Sequence, residues 1–183
     1  MIGPAVRISL LALCALITAP LMAVAESQSV EYAVKAAYLY KFADFIQWPT
    51  TVFDSPASDV NLCIVGNDPF GAALDTVIAK QHIGERAITL HHLTGVGQDS
   101  RCHILFIGGS DPKAIARILN AVRGSGVLTV TDADSTADSP SIIRFVTQDN
   151  HVRFAIDAQA AAQNGITVSS KLLSLALTVM PKK

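Results

Sequence analysis

Residues 102–122 read CHILFIGGSDPKAIARILNAV, and this stretch decides the fold. Cys102 to Ile107 is apolar except for His103, with the length and composition of a strand covered on both faces, as strands of a parallel sheet are. Gly108-Gly109 breaks the run. Ser110-Asp111 then offers a helix cap, Pro112 suits the first helical position, and Ile115, Ile118, Leu119 and Val122 make one apolar stripe at helical spacing. Gly124 ends it. A buried strand leading into an amphipathic helix is the repeating half of an α/β fold.

The alternation continues in both directions. Upstream, Val60 to Val65 is an apolar β run broken by Gly66-Asn67-Asp68-Pro69, and Phe70 to Ala79 returns to a helical pattern. Ala87 to Leu90 is a weaker strand, followed by a loop around Gly95 and Gly97. Downstream, Val127 to Val130 is the next strand, and Asp132 to Pro140 is a polar loop rich in Asp and Ser. Ile142 to Thr147 and Val152 to Ile156, separated by Gln148-Asp149-Asn150-His151, read as an antiparallel hairpin. Ala158 to Gln163 reads as a short helix closed by Asn164-Gly165. Ile166 to Val168 follows as a short strand, and Ser169 or Ser170 caps a Leu-rich helix running to Pro181. Near the start, Ser29 to Trp48 is helical in pattern, with Val34, Tyr38, Phe42, Phe45 and Ile46 at spacings of three and four and Trp48-Pro49 as the stop. Lys35 falls inside that apolar arc. The expectation is a single-domain α/β sandwich with a mostly parallel central sheet, an antiparallel hairpin edge and helices on both faces.

The first 25 residues read as a cleavable secretory signal: Arg7 gives a positive start, Ile8 to Leu21 an apolar run, and Ala23-Val24-Ala25 a small-x-small end. The run contains Pro20 and falls short of the roughly 20 apolar residues that span a bilayer. Leu13 is bulky where a lipoprotein box before Cys14 needs a small residue. Cleavage near Ala25 leaves residues 26–183 as one domain large enough for a proper core, in the periplasm and without a membrane span. Arg7 leaves with the signal, so 13 basic residues face 15 acidic ones. With no basic tract, nucleic acid is disfavoured as a partner. Of the three cysteines, Cys14 also leaves. Cys63 and Cys102 remain as a pair in a compartment where thiols oxidise, and a disulfide is the simplest outcome.

Motifs that carry chemistry are sparse. Gly66 to Gly71 sits where a phosphate loop would, but Asp68 places a carboxylate beside the anion, Pro69 removes a donor, and no dinucleotide or ATP-loop pattern is present. His91-His92 and Cys102-His103 match no recurrent metal module, and adjacent histidines in a strand point to opposite faces. There is no Gly-x-Ser-x-Gly elbow and no Ser-x-x-Lys. Ser169-Ser170-Lys171 reads as a helix cap followed by a surface lysine. No catalytic residue, metal ligand or cofactor is assigned, and the chain is read as a non-enzyme.

Several stretches, in order, resemble the YfiR family of exported α/β proteins. They are residues 34–42 and 45–49, Leu62-Cys63-Ile64-Val65-Gly66 with Asp68-Pro69-Phe70-Gly71, Cys102 to Ile107, Val127 to Val130, Val152-Arg153-Phe154, and Ser169 to Ala176. The resemblance implies a periplasmic repressor that holds an inner-membrane diguanylate cyclase inactive by binding its sensor domain, with release when the envelope turns reducing or stressed. It also implies that Cys63 and Cys102 are the family's structural disulfide. Where relatives of that family carry a second cysteine pair in the later half, this chain has none, which puts a redox switch built on that pair in doubt. For the partner surface, the expected residues are Tyr38, Phe42 and Phe45 of the first helix and Leu172, Leu173, Leu175 and Leu177 of the last, since each helix has more apolar residues than one buried stripe needs. A homodimer would compete for the first of these. The alternative function is a small-ligand module feeding a sensor kinase or other receptor, with its pocket near Asn67, Gly108 or Thr131.

Overall fold

A computed structural model describes residues 19–132 and 141–181, with side chains from Val30 onward. Most of the secretory signal read over residues 1–25, and the polar loop from 133 to 140, lie outside the described residues. In chain order the elements are α1 (Ala19–Lys41), β1 (Ile46–Gln47), β2 (Val60–Gly66), α2 (Ala72–Ile78), β3 (His82–Ile83), β4 (Arg86–Leu93), β5 (Ile104–Gly108), α3 (Pro112–Ala121), β6 (Leu128–Thr131), β7 (Ile143–Gln148), β8 (His151–Asp157), α4 (Ala158–Gln163), β9 (Thr167–Val168), α5 (Ser170–Leu175) and β10 (Thr178–Met180). No described helix is long and apolar enough to cross a membrane.

Among the described residues, eight strands form one sheet in the order β10-β8-β7-β6-β5-β2-β4-β3. The pairs β2–β4, β2–β5, β5–β6, β6–β7 and β8–β10 are parallel, while β3–β4 and the hairpin β7–β8 are antiparallel. The α/β sandwich with a mostly parallel sheet is as the sequence predicts. The hairpin turns on Asp149 and Asn150, with φ of 50° and 60°, the left-handed conformation that matches strand twist in two-residue turns.

Both faces of the sheet are covered, because successive side chains of each central strand point to opposite sides. Leu62 and Ile64 of β2 and Ile104 and Phe106 of β5 enter one core with α1, α2 and α5. Cys63, Val65, Leu105 and Ile107 enter the other, under Ile115 and Leu119 of α3 and Val122 just after it. The helix start read at Ser110–Pro112 is confirmed: Asp111 caps α3 by accepting from the Lys113 amide at 3.0 Å.

Two helix ends differ from the sequence expectation. The helix read over Ser29–Trp48 stops at Lys41, passes through a 3-10 turn at Phe42–Phe45, and becomes the strand β1. Pro49 disfavours a helical conformation just before it, and Ile46 and Gln47 instead pair antiparallel with Val168 and Thr167 of β9, outside the main sheet. The Leu-rich helix read to Pro181 stops at Leu175. The Leu177 amide then donates to the Phe154 carbonyl at 2.8 Å, and Thr178 to Met180 run parallel to β8 as an edge strand. The open edge of β8 supplies backbone partners, and the β-branched Thr178 and Val179 suit an extended chain. The two-residue strand β3 has no signal in the sequence.

Candidate functional site

From β2 the chain moves to β4 on one side, then crosses back to β5 on the other and onward to β6. Strand order therefore reverses between β2 and β5, and the crevice outside their carboxyl ends is where ligands bind in open α/β sheets. A cleft of about 190 Å³ opens there, lined by Tyr32, Asn67, Pro69, Phe106, Gly108, Gly109, Ser110 and Asp132. Asn67 and Gly108 of the expected pocket position are in it. Thr131 lies buried behind, its hydroxyl 2.7 Å from that of Ser141. Only glycine fits where the two strands close: a Cβ on Gly66 would strike the Gly108 carbonyl, and one on Gly108 would strike that of Asn67. Asp68 shapes the adjacent turn. Its Oδ1 accepts from the Phe70 and Gly71 amides at 2.8 and 3.3 Å, and its Oδ2 lies 2.9 Å from Nε2 of His92.

Behind the cleft sits the most heavily buried charge of α1. Lys35 is 1 % exposed. Its Nζ donates to both carboxylate oxygens of Asp132 at 2.9 Å and pairs with Glu31, one turn earlier, at 2.6 Å. Glu31 also accepts from the Thr147 hydroxyl at 3.0 Å, so the cluster ties α1 to the end of β6 and to β7. Burial by itself would lower the Lys35 pKa, and the two carboxylates outweigh it, holding the ammonium above its ordinary value. For Glu31, burial pushes up and Lys35 pulls down more strongly, leaving the carboxyl below its ordinary value. Tyr32 is raised by burial and then by Asp132. The sequence signalled this cluster only through the misplaced Lys35; its partners are 4 and 97 residues away.

Away from the cleft, Cys63 in the middle of β2 and Cys102 just before β5 are joined in a disulfide with Cα atoms 5.8 Å apart. Neither sulfur is then a thiolate that could ligate a metal beside His91, His92 or His103. His103 is buried, with Nδ1 accepting from the Asn61 amide at 2.9 Å and Nε2–H donating to the Val52 carbonyl at 3.2 Å. Burial lowers its pKa first, the bond to Val52 raises it, and nearby Arg86 lowers it, for a net decrease.

The residues expected at a partner surface divide. Phe42 and Leu172 are buried in the core, 1 % and 2 % exposed. Tyr38, Phe45 and Leu173 are half-buried against it; Tyr38 packs on Phe42 and Phe154 with ring centroids 5.8 and 5.7 Å away. Leu175 and Leu177 are exposed, and Val179 and Met180 of β10, which point to opposite faces of the sheet, extend this exposed apolar strip along its edge strand. Ser169 caps α5, accepting from the Leu172 amide, and Lys171 is exposed beside Phe45. The sequence marks the leucines of this edge but assigns them to a helix that ends at Leu175.

Residues 32–177 match the model of the protein family described as YfiR/HmsC-like. The matched span covers the whole sheet except its edge strand β10, which lies just beyond it. No curated protein matches the chain.

Proposed function

Because the chain belongs to the YfiR/HmsC-like family, we propose that it is a periplasmic, non-enzymatic regulator of cyclic-di-GMP signalling that represses a membrane-bound diguanylate cyclase by binding the cyclase's periplasmic sensor domain. The observation that carries this reading is the family match over residues 32–177. The apolar strip of Leu175, Leu177, Val179 and Met180 supports it. An uncharged edge strand with apolar residues on it is what proteins ordinarily cover or blunt, and a partner segment can extend the sheet there. Repression requires that the regulator bind the inactive cyclase more tightly than the active one. The disulfide stabilises the regulator, and its reduction is the step through which envelope redox state would act. A homodimer would use part of the same apolar surface.

The test is recovery of partners from envelope extract by the immobilised, oxidised protein, alongside Leu175→Asp and Met180→Lys variants and a Cys63→Ser/Cys102→Ser variant. The expected result is an inner-membrane diguanylate cyclase retained by the wild type and lost by the strip variants. Failure to retain a cyclase sinks the reading. The second reading, a small-ligand module feeding a sensor kinase or other receptor, is favoured by one observation, the cleft at the switch point. Recovery of a kinase would move the assignment to it.

A further inference from the structure

The segment from Trp48 to Ser58 is held against the amino ends of β2 and β5 by two side chains, His103 and Arg86. His103, just before β5, donates to the Val52 carbonyl and stacks on Phe53 with centroids 4.4 Å apart. Arg86 of β4 covers the other face of Phe53 at 3.9 Å and donates to the Ser55 and Ser58 carbonyls. His103 is also the end of the sheet ladder: its amide donates to the Asn61 carbonyl at 2.9 Å, and its ring nitrogen takes the Asn61 amide in return. Val52 and Asp54 of the held segment wall a cleft of about 350 Å³ that Cys102 also lines.

This arrangement admits one protonation state. An amide can only donate and a carbonyl only accept, so Nδ1 must be bare and Nε2 must carry the hydrogen. A proton on Nδ1 would turn the 2.9 Å contact with the Asn61 amide into two donors facing each other.

We propose that His103 is an acid-sensitive latch: neutral, its ring bridges the Asn61 amide and the Val52 carbonyl and holds the Trp48–Ser58 segment against the ends of β2 and β5; protonated on Nδ1, the rigid ring swings off the Asn61 amide, carries Nε2 away from Val52, and releases that segment from the cleft that Cys102 lines. The device extends the periplasmic reading, since that compartment follows the external pH more closely than the cytoplasm does. The charged groups around the imidazole are mixed. Arg86 lies beyond Phe53 and opposes a second cation on that ring. Asp54 of the segment favours one, but it is paired with Arg101 at 2.9 Å. Arg101 and Asp59 line the cleft of about 240 Å³ that opens onto His103 and gives protons access. Burial keeps the imidazole below its ordinary value, so the latch is closed at neutral pH and opens on acidification. The histidines at 82, 91, 92 and 151 are not bonded to this segment.

The chain has a single tryptophan, Trp48, whose ring lies edge-on to His103 with centroids 6.5 Å apart. The experiment follows Trp48 emission of the purified, oxidised protein from neutral pH into acid, with an NMR titration of the His103 ring and the Asn61 amide on the same protein. The expected result is one midpoint, below the ordinary histidine value, shared by all three signals. Protection of the Asn61 amide from exchange should fall by up to about tenfold for each pH unit between the ordinary histidine value and that midpoint, and level off below it. His103→Gln should lack the emission step. The proposal is overturned if the step persists in that variant, if His103 stays neutral until the protein unfolds, or if its titration leaves Trp48 and Asn61 unchanged. Should the variant not fold, the wild-type titration decides alone.

Discussion

Lys35 shows how a single residue can be read correctly as anomalous and still not be explained by its sequence. Its place in an apolar arc marks it as buried or as facing a partner; only the fold brings Asp132 to it from across the sheet. Breaking a buried ion pair leaves charge without compensation and costs about 3–5 kcal/mol. Lys35→Met should lose that much stability in urea unfolding, with Glu31→Gln losing less because Glu31 is partly exposed. His103 sets the pH dependence at the same scale. Its folded pKa lies below the unfolded value of 6.5, so the unfolded chain binds the proton first as pH falls. The stability it contributes is therefore complete above 6.5 and is lost as pH drops through the folded value. Urea midpoints measured across this window should fall for the wild type and stay flatter for His103→Gln. Gly108 is a purely steric case: Gly108→Ala forces a methyl group into the Asn67 carbonyl and should cost roughly 1–3 kcal/mol.

At the scale of elements, the informative cases are the two helices that end early. The apolar spacing that reads as helix through Trp48 and through Pro181 is real, but Ile46–Gln47 and Thr178–Met180 are taken by strand partners at β9 and β8. Neither partner is near in sequence to the segment it captures, so local pattern reports the apolar character and not its period. The strand β10 has exposed side chains throughout, and this yields a clean prediction. Met180→Lys should leave stability within about 0.5 kcal/mol, as exposed substitutions do, while removing partner retention. Equal loss of stability and retention would instead make β10 a structural element only.

For the molecule as a whole, the disulfide and the strand reversal are the two organising facts. The 39-residue separation of Cys63 and Cys102 predicts a loss of about 4 kcal/mol for the Cys63→Ser/Cys102→Ser protein on the chain-entropy model. Thermal unfolding of the two oxidised and cysteine-free forms checks it. The bond joins β2 to the start of β5, the same two strands that part at the switch point. It therefore ties the middle of β2 to the approach to β5, the strand pair whose carboxyl ends line the cleft.

The sequence by itself determined the α/β class, the central strands, the capped start of α3, the hairpin and the cysteine pair. Each depends on local patterns: buried strands are continuously apolar, caps and turns need particular side chains, and two cysteines in an oxidising compartment have one partner each. Only the tertiary structure decided that Lys35 is neutralised from β6, that β10 forms the edge and carries the exposed apolar strip, and that His103 clasps a segment some 50 residues away. These are pairings between distant stretches, selected by which strand edges and buried charges are left needing a partner once the sheet has formed.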